Sequence, residues 1–587
     1  MIQLYKAELH RFARWGLCLA ILHAIALFLL DRTFPKLFDD AEIVFLLGSA
    51  YGLVGAIFGF YQAANYARVN QWIALLHRPL APWKIMASVI GASSTVLAAS
   101  VTIPLFIFIA SLSVPPDRVI DDRHWLLASG GALLALIGLG VGSYLALAPR
   151  RYGWSGALAI GALLVSGQGV GAEGLLLPLL LIVLLAVLVA GAFKPTRTLP
   201  PASPIPLAAT VGVAGLSLYL LMVGASGLTY QLAMSAMGSS PEVDPPSGGM
   251  IEAMRIDSND IIASGLETAS TRGANLLGAG SEDFEAIRLP VPHGDLPIRG
   301  ELSNSGPISF TELHGGIDWT YSHDRNALVG IRSNDGSSIG PLKPQDGFEA
   351  PPRPFDDDKM IAGGSLYRLD ARSGVLKRLL QLPRDETILT APFPAGPTIT
   401  VLSDKSLYLL DRRAFEDDGT VTTKGAIPLP GPAGDLQRLD AKLLRDDVIV
   451  SFLFGRDSID GPHAAWQELV TIDSAGDVIS LARRSMKPDN PAFHRFRSYW
   501  ISPAFRNVFA GAAGMGSGDA WIAPRAPVEV PRAMWFLAGI LSLMATTGTV
   551  ILARRRLLRP VETMCWALAA LAFGIPLFTA FWLVRRA

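Results

Sequence analysis

The sequence predicts a multi-spanning α-helical membrane domain and a large all-β extracytoplasmic domain inserted before the last membrane helices. Three observations predict this fold. Long apolar runs form an N-terminal and a C-terminal group, a polar stretch lies between the two groups, and the polar stretch and the rest of the chain have opposite net charges. Half of the 587 residues are hydrophobic, and the mean hydropathy is +0.38. Soluble domains rarely reach that average, so the apolar residues must be concentrated in segments that face lipid.

Nine apolar runs reach the length of roughly 17–25 residues that is needed to cross a bilayer core. They lie at about residues 16–31, 43–66, 85–113, 125–148, 153–171, 175–193 and 205–225, and then at 533–553 and 563–584. The chain therefore divides into a membrane domain of about seven spans (1–225), an outer domain (226–532) and C-terminal membrane helices (533–587).

The first fifteen residues have an amphipathic pattern ahead of the first span. Apolar side chains share one helical face, whereas Glu8, Arg11 and Arg14 share the other. This pattern is typical of an interfacial helix that lies along the membrane surface. The alternative is that the stretch is only the polar start of the first span.

The charges of the two parts have opposite signs. Residues 226–532 contain 40 acidic and 30 basic side chains, a net charge of −10, which leaves 10 acidic and 20 basic for the rest, a net charge of +10. The basic residues concentrate in alternate short loops, and such loops stay in the cytoplasm. A cytoplasmic N-terminus satisfies these loops and places residues 226–532 in the periplasm of a bacterium, with the spans in its inner membrane.

The C-terminus conflicts with this topology. Nine spans would place Arg585 and Arg586 outside, against the charge rule. Either one span is miscounted or the short tail is an exception. The last run contains Gly574 and Pro576, so its path through the membrane is the least certain of the nine.

The loop between the second and third runs carries the most specific motif. A short amphipathic helix ends at Pro79, and Pro82 follows three residues later, so the chain must bend there and re-enter the membrane. Such a rigid elbow could dock into a groove of another protein and transmit movement to both adjoining helices. The residues assigned to this coupling loop are Gln71, Trp72, Leu75, Leu76, His77, Arg78, Pro79 and Pro82.

The stretch ALLHRPLAPWKI, residues 74–85, resembles the coupling-helix segment of ABC-2 type transporter permeases. The surrounding order also fits, because an amphipathic N-terminal segment precedes six spans, and a tight outer hairpin with Gln168 and Glu173 separates the fifth from the sixth. The resemblance covers about residues 1–200. Gln71 departs from the family pattern, which often has an acidic residue ahead of the elbow. The alternative is an ordinary basic cytoplasmic loop.

The resemblance implies a permease subunit of an ABC exporter, powered by a separate ATP-binding subunit that binds ATP and Mg²⁺. It also implies a second permease copy or a homologue to enclose a path. The chain has no G-x-x-x-x-G-K-[ST] motif to hold nucleotide phosphates, so we expect no enzyme activity and no cofactor in this chain. The expected partners are these subunits, the lipid bilayer and a periplasmic partner or substrate, but not nucleic acid.

Few features inside the spans suggest chemistry. The glycines of Gly138-Leu-Gly140-Val-Gly142 lie within a span, where small residues favour close helix packing. His23 is one of the few ionisable groups, and we expect it to be packed and hydrogen-bonded. The scarcity of such groups argues against an ion-coupled transporter, whereas a path for an amphipathic or lipid-like molecule would not need them.

The outer domain has the pattern of a repeated β structure. Four alternating runs each lead into a polar, glycine-containing turn, and their starts are spaced by 38, 41 and 62 residues. They begin at Leu328, Leu366, Leu407 and Leu469. Repeats of this length favour a β-propeller, with an insertion or a longer blade in the third interval. The alternative is a β-sandwich or an irregular β domain.

No catalytic or metal-binding pattern stands out in the outer domain. It lacks H-E-x-x-H, G-x-S-x-G and a cysteine pair. Residues 356–358 form an acidic cluster, which is better explained by solvation than by a bound cation. The leading functional hypothesis is therefore an ABC permease subunit whose outer domain docks a substrate or partner. The alternative is a membrane-anchored binding or sensor protein with a ligand-recognising ectodomain, and a membrane-embedded enzyme is the weakest hypothesis.

Overall fold

The computed structural model describes residues 1–34, 37–77, 79–113, 118–166, 171–196, 199–267, 285–292, 296–304, 306–312, 316–370, 375–416, 421, 423–444, 447–472, 476–515 and 524–585. Its helices are α1 (Ile2–Thr33), α2 (Ala41–Tyr66), α3 (Val69–Leu76), α4 (Pro82–Leu112), α5 (Asp122–Leu147), α6 (Arg150–Ser166), α7 (Leu176–Ala192), α8 (Pro204–Ala236), α9 (Met250–Arg255), α10 (Ser258–Leu266), α11 (Arg412–Glu416), α12 (Ala492–Arg495), α13 (Arg497–Ile501), α14 (Pro503–Ala513), α15 (Arg532–Arg555) and α16 (Pro560–Arg585). A 3₁₀ turn, Gly171–Leu175, precedes α7.

Eight helices among the described residues are long and apolar enough to cross a membrane. They are α1, α2, α4, α5, the 3₁₀ turn joined to α7, α8, α15 and α16. The predicted fifth run corresponds to α6, which has 17 residues. The helical part of the fold prediction is therefore confirmed. The N-terminal stretch is helical and continues without a break into the first apolar run as part of α1.

Helices α2 and α5 pack with their backbones in contact, because glycines line both sides of the crossing. A Cβ atom added to Gly138 would lie 2.0 Å from the carbonyl oxygen of Gly52, and one added to Gly55 would lie 2.0 Å from that of Ala135. Gly142 meets α2 in the same way, 2.0 Å from the carbonyl oxygen of Ala56. The predicted role of Gly138 and Gly142 in helix packing is confirmed.

Helix α16 folds back on itself. Gly574 adopts φ 69° and ψ −152°, which breaks the helix, and Pro576 follows. Arg585 forms an ion pair with Glu562, although 23 residues of straight helix would separate them by about 35 Å. The guanidinium of Arg151 also donates a hydrogen bond of 3.0 Å to the carbonyl oxygen of Val584. Both ends of α16 therefore lie at the end of the bundle that carries Arg151.

This geometry favours the first explanation of the C-terminal conflict, a miscounted span. The last apolar run enters the bundle and returns, so it is not a ninth straight crossing. We call the end of the bundle with Arg151, Lys194, Arg556 and Arg585 the basic end. Its positive charges lie close enough to affect one another. Burial lowers the pKa of Arg556, and the nearby charges of Arg585 and Arg151 lower it further.

The strands form four antiparallel sheets. They are β1 (Ile287–Leu289), β2 (Ser309–Glu312), β3 (Ile317–Ser322), β4 (Ala327–Arg332), β5 (Ser338–Leu342), β6 (Arg353–Pro354), β7 (Lys359–Ala362), β8 (Ser365–Asp370), β9 (Val375–Gln381), β10 (Phe393–Ala395), β11 (Thr398–Leu402), β12 (Ser406–Asp411), β13 (Thr423–Pro428), β14 (Leu436–Leu443), β15 (Val448–Phe454), β16 (Trp466–Ile472) and β17 (Val478–Ser485). The sheet orders are β2-β3-β4-β5, β6-β7-β8-β9, β10-β11-β12-β13 and β1-β14-β15-β16-β17.

The four predicted repeats are β4, β8, β12 and β16, each of which is the third of four consecutive strands in its sheet. Their first leucines are all fully buried. Each of these strands also shows a register shift against the strand that follows it. The repeat prediction is thus confirmed at the level of strands. The long third interval places residues 455–465 between β15 and β16; three of the predicted turns include residues outside those described.

Consecutive sheets share apolar cores. Tyr321 and Met360 join the first sheet to the second, and Leu402 and Phe452 join the third to the fourth. A further core lies between the second and third sheets. Helices α9 and α10 pack on the fourth sheet. We call the sheets, residues 287–485, the β domain.

The β domain is shorter than the predicted outer unit of 226–532. At its N-terminal side α8 continues to Ala236, and at its C-terminal side α13 and α14 return to the helical bundle. The ring of Phe505 in α14 stacks on Tyr219 of α8 with centroids 6.0 Å apart. The sequence did not indicate this return, because the apolar stretch at 499–513 is too short to be counted as a span.

Candidate coupling site and its connection to the β domain

The predicted elbow lies at the basic end of the bundle, between α2 and α4. Helix α3 ends at Leu76, and the backbone N–H of the next residue, His77, donates to the carbonyl oxygen of Ile73 at 3.0 Å. Pro82 occupies the first turn of α4, where its missing N–H removes no helical hydrogen bond. The short helix α3 therefore lies between the two longer helices α2 and α4, and Pro82 begins the second of them.

The inner face of the elbow is fixed to the bundle. Trp72 is 6% exposed and Leu75 is 3% exposed. The indole of Trp72 packs on Phe193 with ring centroids 4.9 Å apart, and its N–H donates to the carbonyl oxygen of Pro195 at 3.4 Å. Trp72 thus holds the elbow against the loop between α7 and α8, and Leu75 is buried in the core of the bundle, so neither is available to a partner.

The outer face of the elbow is open. Gln71, His77, Pro79 and Pro82 are exposed, and the apolar side chain of Ile73 is 49% exposed. Trp83 at the start of α4 is 59% exposed. Of the predicted coupling residues, Arg78 and the side chain of Leu76 lie outside the described residues. The described ones separate into two that anchor the elbow and four that face outward.

A buried acidic group near the elbow was not predicted. Glu8 is 7% exposed and accepts a short hydrogen bond from the hydroxyl of Tyr66 at the end of α2. Arg11 donates to the same hydroxyl at 2.9 Å and lies 3.9 Å from the carboxylate of Glu8. The pattern of the first fifteen residues had placed Glu8 on the polar face. In the sequence, only the spacing of three residues between Glu8 and Arg11 indicated that their side chains could interact on a helix.

The opposite end of the bundle is held to the β domain by buried polar contacts. The carboxylate of Asp121 accepts hydrogen bonds from the hydroxyl of Ser322 at 2.6 Å and from the backbone N–H of His323 at 2.8 Å. Asp121 also precedes α5 and, with His124, caps its first turn. The backbone N–H of Asp122 donates to Asp324 at 2.8 Å. The turn between β3 and β4 is therefore attached to the first residues of α5.

A second set of contacts reinforces this attachment. Arg123, 4% exposed, donates to Asn304 at 2.8 Å and to Asp39 at 2.8 Å. Asn304 donates in turn to the carbonyl oxygen of Asp39 at 2.9 Å. We call Asp39, Asp121, Arg123, Asn304, Ser322 and His323 the latch. The sequence did not indicate the latch, because the partners of Asp39 and Asp121 in the β domain are far away in the chain.

His323 is neutral within the latch. Burial, and secondarily the nearby charge of Arg123, lowers the pKa of His323 to about 3. Its Nδ1 atom accepts a hydrogen bond of 2.9 Å from the backbone N–H of Gly300, so the proton of the neutral ring is on Nε2. Gly300 also accepts a hydrogen bond of 2.8 Å from the N–H of Gly171. The predicted outer hairpin therefore contacts the β domain; Glu173 in it is exposed, and Gln168 lies outside the described residues.

Two carboxylates of the acidic cluster at 356–358 form ion pairs with neighbouring basic side chains. Lys359 lies 2.6 Å from Asp356 and 3.2 Å from Asp358, and Arg368 lies 3.1 Å from Asp358. These ion pairs agree with the interpretation of the cluster as a surface feature.

Comparison with models of known protein families found no match, and comparison with curated proteins found no significant match.

Proposed function

We propose that this chain is the membrane-spanning permease subunit of an ABC transporter, an exporter driven by a separate ATP-binding subunit. The observation that carries the proposal is the two-faced elbow α3. Trp72 and Leu75 fix one face to the bundle, whereas Gln71, Ile73 and His77 are exposed on the other. An exposed apolar side chain within a rigid helix at the basic end is suited to dock in a groove of another protein.

A connected series of close contacts supports a mechanical role for the elbow. Helix α3 follows α2 after two residues, and α2 packs backbone to backbone on α5 through Gly55 and Gly138. Helix α5 in turn is preceded by its N-cap residue Asp121, whose carboxylate accepts a hydrogen bond from Ser322 of the β domain. Packed backbones have no side chains that could absorb a displacement between them. A partner that displaces α3 would therefore move α2 and α5 together and, through the latch, the β domain.

ATP and Mg²⁺ would be bound by the partner, and a second permease copy or a homologue would complete the path. The charge division supports a cytoplasmic basic end and a periplasmic β domain in a bacterial inner membrane. The proposed substrate is amphipathic or lipid-like. In support, His23 inside the bundle is hydrogen-bonded to Tyr51 at 2.9 Å, so it is occupied in a structural contact rather than left for an ion path.

We infer that the four sheets are blades of a propeller-like domain that docks a substrate or a periplasmic partner. Apolar cores between the first and second, second and third, and third and fourth sheets support this inference. So does the register shift that recurs between the third and fourth strands of every sheet. Repeated four-stranded meanders packed face to face are the elements of a propeller.

The second candidate, a membrane-anchored sensor, is favoured by the latch alone. A ligand bound by the β domain could displace the buried Asp121 contact and so move α5. The two candidates differ in the need for an ATP-binding subunit.

Co-purification tests the proposal. The tagged chain, extracted from native membranes in a mild detergent, should bring down an ATP-binding protein whose ATPase activity depends on the complex. Ala74→Arg, on the exposed face of α3, should release that protein, whereas Ala41→Arg, at an exposed position of α2 at the other end of the bundle, should not. Absence of an ATP-binding protein, or its full retention by Ala74→Arg, would contradict the permease proposal.

A further inference from the structure

A small polar cavity lies where the chain leaves the fourth sheet and returns toward the bundle. Its volume is about 230 Å³, compared with roughly 150 Å³ for a cavity that accommodates benzene. The insertion at 455–465, the ends of β16 and β17, and residues 486–489 form its walls. All of these lie in the described part of the chain.

Three cationic side chains line this cavity. They are Arg483, Lys487 and Arg495, and the one acidic residue in the lining is Asp489. The carboxylate of Asp489 is already engaged, because it accepts hydrogen bonds from the backbone N–H groups of Met250 and Ile251 at 3.0 and 3.1 Å. The excess of positive charge is notable in a domain whose net charge is −10 by the sequence count of residues 226–532.

Two of the cations are partly fixed by other contacts. Arg495 donates to the carbonyl oxygen of Gly461 at 3.0 Å and to that of His463, which ties the insertion to the wall. The guanidinium of Arg483 lies 4.0 Å from the ring centre of Trp466 and 3.7 Å from Glu468. These contacts hold both positive groups at the cavity without using all of their N–H donors.

Two further donors have no acceptor among the described residues. The hydroxyl of Ser458, a residue only 4% exposed, is buried without a hydrogen-bond partner. The amino group of Lys487 is exposed and makes no hydrogen bond or ion pair with the residues described. A buried donor without an acceptor destabilises a fold unless water or a ligand supplies one.

We propose that this cavity binds a small organic oxyanion, a molecule with a carboxylate or phosphate group and a compact polar body. Lys487 and Arg483 would neutralise the anion, and the hydroxyl of Ser458 would donate to it. The ring of Trp466 is covered on one side by Phe454, with ring centroids 4.4 Å apart, and on the other by the guanidinium of Arg483. Because both faces of the indole are occupied, the ligand would be recognised by its charge rather than by stacking on this ring. The site is separate from the elbow, so its failure would leave the permease proposal unaffected.

Titration calorimetry on the full chain in nanodiscs tests this site, with glucuronate and inorganic phosphate as probes and glucose as the neutral control at constant ionic strength. We expect saturable binding of at least one anion, about tenfold or more weaker in Lys487→Gln and weaker also in Ser458→Ala, because each loses a donor to the anion. Lys343→Gln, which removes an exposed lysine elsewhere in the β domain, should bind as the wild type does.

The two anions distinguish a carboxylate from a phosphate ligand. Melting temperatures equal to that of the wild type would show that the variants are folded. The proposal is overturned if neither anion binds saturably, if glucose binds as well as glucuronate, or if Lys487→Gln and Lys343→Gln bind with the same affinity.

Discussion

The hydroxyl of Ser502 donates a hydrogen bond of 2.9 Å to the carbonyl oxygen of Phe573. This bond joins the tips of two helical hairpins that enter the bundle from opposite ends. One is α16, which turns at Gly574 and returns to the basic end. The other is formed by α13 and α14, which turn at Ser502 so that Arg506 lies 4.0 Å from the ring centre of Tyr499.

The turn of a helical hairpin inside an apolar bundle leaves backbone groups without helical partners, and these must be satisfied by protein. The Ser502 hydroxyl satisfies one carbonyl on α16 and also accepts from the N–H of Phe505 at 3.3 Å. Phe505 packs on Phe573 with ring centroids 4.8 Å apart. The two tips therefore depend on each other.

Ser502→Ala should destabilise the protein by about 1–3 kcal/mol, because it leaves a buried carbonyl oxygen without its donor and removes a helix cap. The measurement is the melting temperature of the purified chain in detergent. Ser498→Ala, one turn earlier, is the matched control, since the contact of Ser498 with Tyr219 is made by its backbone carbonyl oxygen, which the substitution keeps. Equal melting temperatures for the two variants would show that the bond between the hairpins contributes little.

The return of α16 predicts that the C-terminus is on the same side of the membrane as the loop between α15 and α16. Cysteines introduced singly at Arg554 and Arg585, in a chain with Cys18 and Cys565 replaced, should react with a membrane-impermeant maleimide from the same side. A cysteine at Val243, which is 78% exposed beyond α8, should react from the other side. Labelling of position 585 together with 243 would mean that α16 crosses the membrane.

The contact of α2 and α5 predicts that Gly138→Ala is strongly destabilising. The added methyl would lie 2.0 Å from the carbonyl oxygen of Gly52, a backbone atom that cannot rotate away. Separating two packed helices costs roughly 1–3 kcal/mol or more. Gly161→Ala in α6 is the control, because a Cβ there meets nothing within 4 Å. Similar yields and melting temperatures for both variants would contradict the described crossing.

The sequence predicted the features that depend on local pattern. The sequence runs that start at Leu328 and at its three counterparts alternate in polarity, so their repeat was visible. Gly138 and Gly142 have the spacing of small residues at a helix crossing. The elbow was visible because Pro79 and Pro82 impose a bend whatever surrounds them. Such patterns depend on neighbours in the chain, and those neighbours are also neighbours in space.

Features that depend on distant contacts were not predictable in the same way. The hairpin of α16 has the length and composition of a straight span, and only Gly574 and Pro576 indicated a break. Asp121 and Ser322 are 201 residues apart in the chain, so no local pattern could pair them. The sequence indicated that α3 is amphipathic. It did not indicate that the apolar side of α3, with Trp72, packs on the helical bundle of the same chain.

The latch predicts a dependence of stability on pH. The pKa of His323 is about 3 in the folded protein because of burial and of the nearby Arg123, whereas an exposed histidine has a pKa near 6.5. Between these two values the unfolded chain binds more protons, so the contribution of His323 to stability is complete above about pH 6.5 and is lost progressively as the pH falls toward 3. The slope for this one group approaches about 1.4 kcal/mol per pH unit.

Replacement of the histidine separates this effect from the titration of carboxylates. His323→Gln keeps an acceptor for the N–H of Gly300 but cannot be protonated, so its melting temperature should fall less than that of the wild type between pH 7 and pH 5. His10→Gln, at an exposed position at the start of α1, is the control variant. Parallel pH profiles for the wild type and His323→Gln would mean that protonation of His323 does not open the latch, and the contact between Asp121 and the β domain would then have to be tested by Asp121→Asn.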